Sequence, residues 1–206
     1  MSYGRCCQIF RRKNMSKFIA AMDNSGGSAG GVLDLYGQDW TEDNKMERIH
    51  KFRIRQINSP LFNSDNIWAG IVYKDSVDRD IVNVLKDKDI KTILKIDEGC
   101  EPAGTLKDFD LEGMIRYALF NGCFGTKMRS VVKSYTIMIP LVKQQFELAQ
   151  KIADSGLMPI VEPEIPIDHA NKRYLEEYMK DYILSCLEKF SGQCILKLTL
   201  PEVPNI

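Results

Sequence analysis

The chain has 206 residues, with 28 Lys and Arg balanced by 28 Asp and Glu, so its formal charge is zero. That balance excludes a strong electrostatic case for nucleic acid or an anionic membrane as partner, and no apolar run approaches the length of a membrane span. Hydrophobic residues make up 44% of the chain, enough for a sizeable core in one large domain.

Residues 1–16 carry Arg5, Arg11, Arg12 and Lys13 without the apolar centre of a secretory peptide. They read as an N-terminal extension, with Met15 as a natural start and a domain over 17–206. Phe18-Ile19-Ala20-Ala21-Met22 is a strand candidate ending at Asp23, and Asn24 to Gly31 reads as a flexible Gly/Ser loop. A helix is expected over about 42–57, and Ile67 to Tyr73 is a second strand. A short helix carries Ile81, Val82 and Leu85. Ile90 to Ile96 is a third strand, followed by Asp97.

A helix near 110–120 would place Leu111, Ile115, Ala118 and Leu119 on one side. Cys123 to Arg129 reads as a fourth strand. Val142, Phe146, Ala149, Ile152 and Ala153 form a helical stripe that ends at Gly156. Leu157 to Glu164 is the fifth strand, and a long helix over 171–190 shows Leu175, Met179, Ile183, Leu187 and Phe190. The sixth strand lies in Gln193–Glu202, bounded by Ser191-Gly192 and Pro201.

Strands alternating with helices imply parallel pairing through right-handed crossovers. Two α/β architectures compete, an open doubly wound sheet and a (β/α)₈ barrel. Asp23, Lys95 and Asp97, Lys127 and Arg129, Glu162 and Glu164, and Lys197 all stand at or near strand carboxyl ends. In a barrel those ends converge on one mouth, whereas an open sheet concentrates its ligand contacts at a single switch point. Charged residues on five of the six strands favour the barrel.

Lys197 lies in the middle of an apolar run. A buried ammonium loses its hydration, and the usual relief is a lowered pKa and a neutral amine, the species that Schiff-base chemistry on a carbonyl requires. The competing reading is an edge-strand lysine with its head in solvent. Glu162-Pro163-Glu164 presents two carboxylates that can push one pKa upward for acid/base work, or can simply be a solvated strand end. Lys95, Lys127 and Arg129 offer cations for an anionic substrate such as a phosphate, or ordinary ion pairs. The Asn24–Gly31 stretch matches neither the dinucleotide fingerprint nor the Walker A pattern. Its functional alternative is a phosphate cradle of backbone N–H groups. Six scattered cysteines without C-x-x-C spacing suit reduced thiols in a cytosol, and with two histidines they argue against a zinc site.

Phe18–Ser28, Leu94–Gly99, Phe124–Ser130, Pro159–Glu164 and Leu196–Pro201 together resemble class I fructose-1,6-bisphosphate aldolase of the bacterial type, from about Lys17 to the last residue. The resemblance implies a cytoplasmic (β/α)₈ barrel enzyme of glycolysis and gluconeogenesis with a sugar phosphate substrate and no metal or cofactor. It implies Lys197 as the Schiff-base lysine and Glu162 as the general acid/base. Asp23 is the carboxylate handling the C4 hydroxyl proton, and Glu164 the second carboxylate, beside the lysine amines. Lys95, Lys127 and Arg129 are the cations around substrate and phosphate, with Ser25 also binding substrate. Asn24 departs from the Gln or Glu expected there. The family continues with two further strand–helix units and a Ser-Gly-Gly-Tyr-Ser-like phosphate loop. The expectation is therefore about six βα units, two open sheet edges and a poor catalyst alone. Two alternatives stand beside the lyase, a non-catalytic remnant acting as a binding or structural protein and a transaldolase-like Schiff-base enzyme. The motifs above argue against the second.

Overall fold

Short apolar runs separated by amphipathic helices can be joined in parallel only through helical crossovers, and the chain takes that course. The computed structural model describes residues 17–204, so the expected extension at 1–16, Met15 included, lies outside the described residues. The order is β1 (Phe18–Met22), α1 (Gly26–Leu35), α2 (Lys45–Ile57), β2 (Ile67–Val72), α3 (Lys74–Val77), α4 (Ile81–Lys86) and β3 (Lys91–Lys95). It continues with α5 (Leu111–Phe120), β4 (Gly125–Val131), α6 (Tyr135–Asp154), β5 (Met158–Glu164), α7 (Lys172–Leu187) and β6 (Ile195–Leu196). The six strands form one sheet in the order β1-β2-β3-β4-β5-β6, every pair parallel.

The sheet is curled. Lys127 on β4 donates to the carboxylate of Asp23, just past β1, at 2.8 Å. In a flat sheet three strand spacings would hold those positions roughly 14 Å apart. The fold is thus a half-barrel of a (β/α)-barrel type, with carboxyl-terminal strand ends drawn toward one mouth. Ala69, Ile71, Ile93 and Ile160 form a small apolar layer inside the curl. A larger cluster, including Met22, Val72, Leu94, Met128 and Val161, fills the space between sheet and helices. Because strand side chains alternate faces, the inward face of Ile160 also carries Glu162 and Glu164. The face opposite Met128 carries Lys127 and Arg129. Gly125 admits the close approach of β5, since a Cβ there would stand 2.1 Å from the Met158 carbonyl oxygen.

Three expectations are corrected, and one helix was not expected. The stretch read as a Gly/Ser loop becomes α1 from Gly26 onward. Packing overrides the poor helix propensity of glycine: Ala29 and Leu33 bury against Ile49, and at Gly30 any Cβ would stand 2.5 Å from the Trp40 ring. Leu119 is not on the buried face of α5 but 48% exposed; the buried residues of that helix are Leu111 and Ala118, seven apart. The short α3 has no counterpart in the sequence reading. The sixth strand spans only Ile195–Leu196, since among the described residues β5 is its one neighbour. Among the described residues no helix is long and apolar enough to cross a membrane.

Candidate active site

The centre of the mouth is a line of alternating charges carried by or next to four strands. Asp23 follows β1, Lys127 sits mid-β4, Glu162 lies on β5 and Lys197 follows β6. Lys127 Nζ is 2.8 Å from Asp23 Oδ2 and 2.7 Å from Glu162 Oε2. The second contact is an ion pair whose angles fall outside a directional hydrogen bond. The other oxygen of Glu162, Oε1, accepts a hydrogen bond from Lys197 Nζ. Glu162 is therefore shared by two ammonium groups while being only 2% exposed.

Lys127 is buried in this line. Burial opposes its charge, but Asp23 and then Glu162 outweigh burial and hold its pKa above the ordinary 10.5. It is a fixed cation. Lys197 differs: its side chain is 41% exposed and meets one carboxylate, Glu162. The buried amine expected from the apolar run is not what the fold builds. The main chain after Leu196 bonds once more to β5, Lys197 N donating to Val161 O at 3.0 Å, and the side chain then reaches over the open cavity.

Glu162 is held from behind by Gln145 of α6, which is fully buried. Its side-chain oxygen accepts from Glu162 N at 3.0 Å. Its Nε2 lies within donating distance of the Glu162 carbonyl at 3.1 Å and the Ser130 hydroxyl at 2.8 Å. A carboxamide is suited to this position because one group donates and accepts at once. The sequence offered no sign of it beyond a polar residue on the apolar stripe of α6.

Around the line, Lys95, Arg129, Glu164 and Ser25 border a cavity of about 690 Å³ together with Asp23, Lys127, Glu162 and Lys197. All eight residues singled out from sequence thus face one space. Their pairings differ from expectation in one respect. Glu164 stands not beside a lysine amine but in a two-pronged pair with Arg129, at 2.6 and 2.8 Å. That bond raises the Arg129 pKa.

Asp97, 3% exposed, organises the rim beyond what its sequence position suggested. It pairs with Lys95 at 2.9 Å and accepts from Gly99 N at 3.1 Å and Arg129 N at 3.3 Å. Tyr73 also borders the cavity, its ring 5.6 Å from the Lys95 ammonium. The amino end of α1 closes one side. Ser25 caps it with extended backbone but no side-chain capping bond, and its carbonyl accepts from Ser28 N and Ala29 N at 2.9 Å.

A half-exposed amine in contact with a buried carboxylate, itself neutralised from behind, can add to a carbonyl and pass protons. No protein-family model matches the chain. It is 38% identical over 218 aligned residues to the class 1 fructose-bisphosphate aldolase of Synechocystis, covering 97% of this chain and 73% of that protein. By structure it is similar to the fructose-bisphosphate aldolase of Plasmodium falciparum solved with TRAP and a small-molecule inhibitor. The TM-score is 0.68 at 20% identity, over 88% of this chain and 59% of that one, so the chain spans well under two thirds of the solved protein.

Proposed function

The chain belongs to the class 1 fructose-bisphosphate aldolase family, and we propose that it cleaves fructose 1,6-bisphosphate through a Schiff base on Lys197, in the cytoplasm and without a metal. The observation that carries this reading is the single carboxylate of Glu162 between the fixed cation of Lys127 and the accessible amine of Lys197.

Glu162 takes a proton from the Lys197 ammonium, and the neutral amine adds to the C2 ketone. The same carboxyl returns that proton to the carbinolamine oxygen, which leaves as water, so an iminium forms with no net change in protons at Glu162. Asp23, across the cavity, removes the C4 hydroxyl proton. The electrons of the C3–C4 bond flow into the iminium, leaving an enamine on Lys197 and releasing glyceraldehyde 3-phosphate. Protonation of the enamine at C3 and hydrolysis of the imine give dihydroxyacetone phosphate and restore the amine.

Lys127 keeps its proton throughout. Its charge stabilises negative charge developing nearby. Lys95 and Arg129 supply cations for the substrate's phosphates. The first N–H groups of α1, beside Ser25, offer an anion its favourable helix end.

Incubation with dihydroxyacetone phosphate, borohydride reduction and mass mapping test the reading. The expected product is one adduct, on Lys197. An adduct on another lysine, or none in protein whose circular dichroism shows it folded, overturns it.

A further inference from the structure

Arg53 of α2 is 1% exposed yet takes no part in the chemistry above. Its guanidinium donates to the Ser76 hydroxyl of α3 at 2.6 Å and to the main-chain carbonyl of Asn24. Nε is buried without a partner, and among the described residues no carboxylate lies within ion-pair distance of it. An arginine in that state is unfavourable, because burial strips its hydration and no opposite charge touches it. Burial pulls its pKa down to about 10, opposed by the more distant carboxylates of Asp75 and Asp23. A carbonyl and a hydroxyl are weak recompense for a buried cation, so the position of those two groups is what the arrangement secures.

Asn24 is the residue between Asp23 and the cap of α1. Its carbonyl accepts from Arg53, which fixes the Asn24–Ser25 peptide plane one residue past Asp23. The same turn delivers the Asp23 carboxylate to Lys127 and presents the amino end of α1, with Ser25, to the cavity. Ser76, the other partner, stands on α3 three residues past Tyr73 at the end of β2. One guanidinium fork therefore ties the β1–α1 turn to the β2–α3 turn. Lysine, with a single ammonium and no fork, cannot span both in the same geometry.

We propose that Arg53 is a positioning residue for this site: it locks the Asp23-Asn24-Ser25 turn, so that carbon–carbon cleavage depends on it while Schiff-base formation at Lys197 does not. The proposal rests on the reading of Lys197 and Asp23 given above. Glu162 stands on β5 and Lys197 just past β6, and among the described residues neither bonds to the Arg53 side chain, whose partners are Ser76 and Asn24. Asp23 hangs on the turn that Arg53 grips.

The test compares wild type, Arg53→Lys and Arg53→Met in two measurements. In the first, amide hydrogen exchange is mapped by mass spectrometry without substrate. Arg53→Met is expected to speed exchange in 24–33 by about tenfold or more while the β4–β5 segment is unchanged. Unchanged exchange at 24–33, or a rise throughout the chain, overturns the positioning role. In the second, bisphosphate cleavage in Arg53→Met is expected to fall about 100-fold, as displacement of a reacting group by an ångström can cause. Borohydride trapping of dihydroxyacetone phosphate on Lys197 should stay within about twofold. Arg53→Lys should recover part of the cleavage rate. Equal loss of cleavage and trapping, or loss of neither, overturns the proposal. Absence of a Lys197 adduct in wild type would instead strike the Schiff-base reading, and the exchange data would still decide what Arg53 does.

Discussion

Lys127 and Lys197 grip the same carboxylate from opposite sides, and their surroundings give them opposite characters. Lys127 has a side chain 4% exposed and two carboxylate neighbours; Lys197 is 41% exposed and has one. Desolvation alone would lower the pKa of Lys127, but two adjacent negative charges decide the matter the other way. Burial therefore does not identify a nucleophilic lysine. Lys197 differs in standing over the open cavity with a single carboxylate partner, Glu162.

Replacing each member of the line tests that contrast. The largest effect is expected for Lys197→Met. With Lys197 as the proposed nucleophile, cleavage should drop on the order of 10⁵-fold, and borohydride trapping should vanish. Retention of an adduct in this variant would transfer the nucleophile to another lysine, Lys127 first among them. Glu162→Gln keeps the shape but removes the shared negative charge. Turnover should fall about 10²- to 10⁴-fold, with slower iminium formation in single-turnover trapping.

Lys127→Met should act on stability as well as rate, leaving the part-buried carboxylate of Asp23 and the buried one of Glu162 without their common cation. A loss of about 3–5 kcal/mol in urea unfolding is expected. The pH dependence has a definite sign. The folded pKa of Lys127 is raised above the ordinary 10.5, so its contribution is complete below 10.5 and is lost as pH climbs through the higher folded value. The stability gap between wild type and Lys127→Met should narrow only in that alkaline window. A gap already narrowing near neutrality would show Lys127 to be the readily deprotonated amine, and the contrast would be reversed.

Arg129→Gln is the smallest change. The pair with Glu164 is half-exposed, so unfolding should shift by less than about 1 kcal/mol. If Arg129 meets a substrate phosphate, KM should rise roughly tenfold with kcat little altered.

Much of this was legible in the chain. β2 is apolar on both faces, and β3 and β5 carry apolar residues on both faces and end in charge, as parallel strands whose ends form a site do. Every residue singled out from the sequence reaches the same cavity. The misreadings have local causes. A glycine-rich segment looked like a loop because propensity does not register the Trp40 ring that only Gly30 admits. Gln145 and Arg53 passed unnoticed because a polar residue on an amphipathic helix shows in sequence neither its burial nor its partners.

The amino-acid order by itself determined the alternation of strand and helix, the parallel pairing, and which side chains stand at the carboxyl ends of the strands, because side-chain periodicity and crossover handedness are local rules. Tertiary structure alone decided who pairs with whom: Glu162 with two lysines, Glu164 with Arg129, Asp23 with a lysine 104 positions away. Those choices follow from the curl of the sheet, which sets charges from β1, β4, β5 and β6 within contact distance, and electrostatic energy depends on that distance rather than on sequence separation.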